Sequence, residues 1–101
     1  MRPSESLQLH MEEVREIFRN AEKQYGIINP KIIGSVRRGE DTENSDIDIV
    51  VQFKDTYPDT VKRIKVAGEL HGLLGCFVQV VDESALSQEF AEEIQKSIPL
   101  L

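Results

Sequence analysis

The run over residues 46–53 constrains this chain most: Ile47, Ile49, Val51 and Phe53 alternate with Asp46, Asp48, Val50 and Gln52. Successive side chains of a strand point to opposite faces, so the first set demands burial and the second set a different environment. Such a strand belongs in a sheet, and the sheet needs a layer of helices against it. Residues 4–25 supply one, because Leu7, Met11, Val14, Ile17, Phe18, Ala21 and Tyr25 recur three or four apart; a single helix is predicted, capped by Ser4 or Ser6 and ended by Gly26. Pro30 keeps the chain extended into a short apolar strand over residues 31–33. After the central strand, Pro58 suits the first turn of a second helix with Val61, Ile64, Ala67, Leu70, Leu73 and Leu74 on its apolar face, stopped by Gly75. Residues 76–81 read as a third strand. Ser87 is placed to cap a last helix with Phe90, Ala91 and Ile94 inward, and Pro99 marks its end. This order predicts an α/β (α+β) fold, a small mixed β-sheet with helices packed against it.

The 101 residues suffice for one domain, residues 1–101, with a modest core. No stretch approaches the roughly 20 apolar residues of a membrane span, and the first ten residues lack the apolar core of a secretory signal. The expectation is a cytoplasmic protein with no membrane attachment. The one cysteine, Cys76, has no internal disulfide partner and sits among apolar residues, as a buried reduced thiol does. Twelve basic against eighteen acidic residues give a net charge of -6, which opposes long nucleic acid. A small nucleotide stays compatible, because local basic residues and a metal ion offset phosphate charge.

Chemistry concentrates in residues 34–51, GSVRRGEDTENSDIDIVV, where a strand runs into a Gly-Ser turn, a short basic segment and a second strand opening with two aspartates. At Gly34 the missing side chain lets a phosphate approach the backbone, and Ser35 adds a hydroxyl. Asp46 and Asp48, two apart on a strand, project from one face with Cα atoms roughly 6.6 Å apart, near enough to share a metal ion, and hard oxygen ligands favour magnesium. Taken singly, the glycines also read as turn residues and the aspartates as charges that discourage edge pairing. Together, in one strand-turn-strand unit, they favour phosphate and metal.

GSVRRG followed by SDIDIVV resembles the GSxxRG and SDxD signature of the polymerase beta nucleotidyltransferase superfamily, and over nearly the whole chain the sequence is similar to the minimal nucleotidyltransferases. The resemblance implies a polymerase beta-type nucleotidyltransferase fold. It further implies an antitoxin that silences a helical HEPN-type ribonuclease toxin by moving AMP from ATP, or another nucleoside triphosphate, to a tyrosine. Gly34 and Ser35 would then hold the triphosphate, and Asp46 and Asp48 the Mg2+ ions that bridge phosphates and orient the attacking hydroxyl. Arg38 and Gly39 match the motif's basic residue and glycine. Arg38 either balances phosphate charge or pairs with Glu40 or Asp41, and Arg37 is expected at the surface. Self-association is left open, and the antibiotic-modifying relatives fit less well, because no substrate-binding domain follows.

One departure divides the functional expectation. The family carries a third carboxylate on the third strand, and counting back from Ala85 and Leu86 puts Gln79 there. A neutral amide can touch a metal but cannot take a proton from the incoming hydroxyl. Asp82, three residues on, is expected on the opposite face of the strand. Gln79 therefore opens a second reading, a nucleotidyltransferase-fold protein that binds nucleotide or partner without turnover. His71 reads as a packed or half-exposed histidine; Lys62, Arg63 and Lys65, like Glu12, Glu13 and Glu16, read as solvated helix surface.

Overall fold

A computed structural model describes residues 1–55 and 59–101. Its four strands lie in the order β3-β2-β1-β4, with β1 Ile27–Ile33, β2 Ile47–Phe53, β3 Val78–Asp82 and β4 Ile98–Pro99. β2 pairs parallel to β3 and antiparallel to β1, and β4 lies antiparallel on the far side of β1, so the sheet is mixed as expected. Ile47, Ile49 and Val51 enter the core with Val78 and Val80 of β3 and Ile27 and Ile32 of β1. The layer against them is built by α2 (Met11–Tyr25) and α4 (Thr60–Leu74), through Val14, Phe18 and Ala21 from the first and Val66, Leu70 and Leu74 from the second.

The N-terminal helix differs from the single one predicted. It breaks at His10 into α1, Pro3–Leu9, and α2, although the apolar spacing runs through the break. The turn redirects α1 across the end of α4, where the Ser6 hydroxyl donates to the Leu74 carbonyl at 2.7 Å, while Leu9 is left at solvent. Neither predicted serine caps α1. Glu5 reaches back to accept from the Arg2 backbone N–H at 2.9 Å, and the Ser4 amide instead donates to buried Asp41 at 2.8 Å.

β1 is longer than the three residues predicted, because the sequence hides a bulge between Ile28 and Lys31. Asn29 there has φ 52°, and Pro30, which has no N–H for a ladder, is tolerated at the irregularity and is buried. Its carbonyl accepts from the Leu100 amide at 2.9 Å, and Pro99 follows the same rule on edge strand β4. Pro58 lies outside the described residues; Asp59 caps α4, its carboxylate accepting from the Val61 and Lys62 amides. Val61 and Ile64, expected on the buried face of α4, are 61% and 64% exposed. Cys76 is half-buried against the core, and burial, with the charge of Asp46 adding to it, pushes its thiol up.

The C-terminal segment departs most from expectation. Two single 3-10 turns, Glu83–Ala85 and Gln88–Phe90, lead into a short α5, Ala91–Gln95, and the Ser87 side chain makes no cap. Phe90 and Ala91 are exposed and Ile94 is half-buried, so the expected inward face is not formed. This segment crosses the second face of the sheet, and Val50, predicted on that face beside Asp48, is fully buried. No helix is long and apolar enough among the described residues to cross a membrane.

The Ser6 bond ties the first helix to the last turn of α4 in a buried setting. Ser6→Ala strips the Leu74 carbonyl of that donor, and a loss of roughly 1–3 kcal/mol in urea unfolding is expected. Unchanged stability would show that the bond does not hold α1 in place.

Candidate active site

Where β1 ends, the chain turns directly into α3, Gly34–Arg38, a short helix inside what the sequence suggests as an open connection. Gly34 has φ +79°, and a Cβ there would sit 2.6 Å from Oδ2 of Asp48. The residue is therefore required twice, by the left-handed backbone and by the carboxylate pressed against its Cα. Gly39, φ +73°, ends α3, and a Cβ there would meet nothing within 4 Å; its part is conformational.

Parallel pairing sets Asp48 opposite Gln79 and places both on the face turned away from the helices. Gly34, Arg38, Asp48 and Gln79 line one cavity of about 270 Å³. Its apolar wall comes from Ile33, Val81, Leu86 and Phe90, and Glu93 closes the rim. Ser35 follows Gly34 in the first turn of α3, and Asp46 stands exposed just before β2. Asp82, as expected, turns to the other side, where it is buried and caps the first 3-10 turn by accepting from the Ser84 amide.

The arginines and Asp41 correct the sequence reading. Arg37, expected at the surface, is largely covered and its Nη2 donates to Oε2 of Glu93 at 3.0 Å. Arg38 pairs with Glu40 at 3.1 Å and also with Glu93; Asp41 takes no part, being committed to Ser4. Arg63 is likewise not simple helix surface, since its Nη1 donates to the Val80 carbonyl at 2.8 Å and satisfies the open edge of β3. Lys62 pairs with Asp59 and Lys65 is exposed. His71 is exposed, its Nδ1 lies 2.9 Å from the Cys76 carbonyl, and its ring meets Phe77 edge-on. Glu12, Glu13 and Glu16 lie at solvent, paired with Arg15, His10 and Arg19.

Glu93 is the residue the sequence reading misses. Nothing in its local pattern separates it from the neighbouring acids Glu89 and Glu92; only the fold over the sheet delivers it. Burial alone pushes its carboxyl up, but the hydrogen bond and charge of Arg37, the Gly34 amide and Arg38 outweigh this and hold it below the ordinary carboxylate range.

Asp48 is shifted the other way. Burial raises it first, the charge of Asp46 next, with Arg38 partly opposing and Glu93 adding to the rise. Two carboxylates that repel each other, with an amide oxygen alongside, make a hard-oxygen set. Among the described residues no three acidic, histidine or cysteine side chains converge to hold a metal. Such a two-carboxylate set suits magnesium, which is commonly held by one or two carboxylates together with phosphate oxygens of a ligand.

Because folding raises the Asp48 pKa, its ionised form opposes folding at neutral pH, and this penalty disappears as pH falls below the unfolded value of about 3.9. Without divalent ions, Asp48→Asn is therefore expected to melt above wild type at pH 7, with the gap closing in acid; equal melting at pH 7 would contradict the repulsion. Gly34→Ala is expected to cost at least about 1–3 kcal/mol in urea unfolding, from left-handed strain and the contact with Asp48.

Comparison with known proteins supports the same architecture. Residues 12–101 match the family described as Polymerase beta, Nucleotidyltransferase. The chain is 38% identical over 90 residues to a Methanocaldococcus jannaschii relative classed with the protein adenylyltransferases, covering 85% of this chain and 88% of that one. It is 34% identical over 92 residues to the protein adenylyltransferase MntA of Thermococcus cleftensis, with 91% and 85% covered. Among solved structures, a minimal nucleotidyltransferase superposes with a TM-score of 0.76 at 30% identity, over 95% of this chain and 94% of the other. A toxin-antitoxin complex crystallised with AMP-PNP superposes at 0.74 and 25% identity, over 90% and 72%. With residues 12–101 covered by the family model and the fold shared with these solved structures, the chain belongs to the polymerase beta nucleotidyltransferase family, within its minimal, MntA-like branch.

Proposed function

We propose that this protein is an antitoxin that transfers AMP from magnesium-ATP to a tyrosine hydroxyl of a HEPN-type toxin. The observation that carries the reading is the single cavity in which Gly34, Arg38, Asp48 and Gln79 meet. Its setting among relatives supports the acceptor: MntA of Thermococcus cleftensis is a protein adenylyltransferase, and one fold neighbour is a tri-AMPylated Shewanella oneidensis HEPN toxin with its MNT antitoxin.

Asp46 and Asp48 would hold magnesium, which, when bound, neutralises phosphate charge and polarises the transferred phosphoryl group. Gly34 lines the cavity where the triphosphate would lie, and Arg38 supplies a guanidinium on the same side. Leu86 and Phe90 offer an apolar wall against which a nucleotide base can pack. The acceptor has its own approach. A groove of about 460 Å³ runs along the open edge of β3 beside Ile64, Ala67 and Phe77, and it shares Gln79 and Val81 with the cavity. An aromatic acceptor lying there would meet the cavity at Gln79 and Val81.

A second reading has its own support. Gln79 is the direct register partner of Asp48, and if it occupies the position where the resemblance implies a carboxylate, that position carries an amide that accepts no proton. The fold would then bind nucleotide and partner without turnover.

Transfer assays with magnesium, labelled ATP and a HEPN partner separate the two. AMP transfer by wild type supports the enzyme, with Gln79→Asp raising the rate on the order of a hundredfold if a base is all that is lacking. Transfer only by Gln79→Asp makes the natural protein a binding module. Transfer by neither sinks the proposal.

A further inference from the structure

The carboxylate of Glu93 takes one arginine on each oxygen, Arg37 Nη2 on Oε2 at 3.0 Å and Arg38 Nη1 on Oε1. Two guanidinium groups thus converge on one oxyanion, each through a single charge-assisted bond, and a phosphate could take the same two donors. Glu93 and Arg38 line the same cavity as Gly34 and Asp48, the place where the nucleotide reading needs a triphosphate, and largely covered Arg37 reaches Glu93 from beside it.

We propose that Glu93 is a built-in competitor for the phosphate position: it occupies the guanidinium groups of Arg37 and Arg38 and yields them only to a ligand that brings its own divalent cation. The proposal rests on the nucleotide reading of the cavity and names what selects the ligand there. Around that cavity the carboxylates of Asp46, Asp48 and Glu93 outnumber the two guanidiniums, so a bare polyphosphate meets excess negative charge. A ligand bringing its own magnesium would meet Asp46 and Asp48 with its cation, while its phosphate oxygens would take the place of Glu93 on the arginines. Glu93 thereby makes the site selective for metal-complexed triphosphate over free phosphate or a monophosphate.

Glu93 does not read as a replacement for the carboxylate that Gln79 lacks. A carboxylate held by two arginines is a weak base, and among the described residues it does not converge with Asp46 and Asp48 as a third metal ligand. Its departure is also structurally feasible. α5 is five residues long with Ala91, Glu92 and Gln95 at solvent, so little apolar burial opposes a shift once the arginines are released.

The test is calorimetric titration of inorganic tripolyphosphate into the full chain, with and without magnesium. Glu93→Gln is expected to bind tripolyphosphate at least about tenfold tighter than wild type without magnesium, as loss of a charge-assisted competitor implies, and the gap should narrow when magnesium is present. Glu92→Gln, which removes an exposed acid paired with Lys96, should leave binding unchanged. Binding by folded Glu93→Gln that is no tighter than wild type overturns the proposal. If that variant fails to fold, Glu93→Asp decides: its shorter side chain should tighten binding by about threefold or more, and unchanged affinity overturns the proposal. Tighter tripolyphosphate binding without any AMP transfer would leave the competitor standing and sink the enzyme reading; transfer without tightening would do the reverse.

Discussion

The functional end of this sheet depends on one close approach, the Asp48 carboxylate against the bare Cα of Gly34. The left-handed glycine lets β1 break straight into α3, which swings Arg37 and Arg38 back over the sheet. The same missing Cβ leaves the space that Asp48 fills. A side chain at Gly34 would displace the carboxylate or the turn, and either shift would separate the arginines from the aspartates. Backbone conformation and electrostatics are thus fixed by the same atom-scale constraint.

The remaining geometry is set by strand register. Parallel pairing of β2 with β3 aligns Asp48 with Gln79, and the alternation that buries Ile47 and Ile49 under α2 and α4 necessarily turns Asp48 to the other side. That other face is closed by the 3-10 turns and α5, which bring Leu86, Phe90 and Glu93 over it. The site is consequently a cavity between the sheet and the 3-10 turns with α5, where Glu93 is held by Arg37 and Arg38 while Ala91, Glu92 and Gln95 lie at solvent.

What the sequence made legible follows from how local each determinant is. β2 was readable because alternation is a property of neighbouring residues, and α4 ended where Gly75 takes φ +72°. The Gly34 turn and the aspartates could be grouped because they lie within one strand-turn-strand unit. Features that depend on distant partners were not readable. The break at His10 serves a bond to Leu74, β1 conceals a bulge at Asn29 and Pro30, and Arg37 is covered only because Glu93 arrives from 56 residues away. Val50 is buried and Val61 exposed for the same reason, since cover on either face is decided by elements far along the chain.

Under the proposed function, Asp48 holds the metal of a nucleotide bound beside Gly34. The direct measurement is titration of ATP into wild type and Asp48→Asn across a range of magnesium concentrations. Wild-type affinity that rises with magnesium, together with variant affinity that no longer responds to it, is the predicted result. An equal magnesium response in the two proteins would contradict the claim.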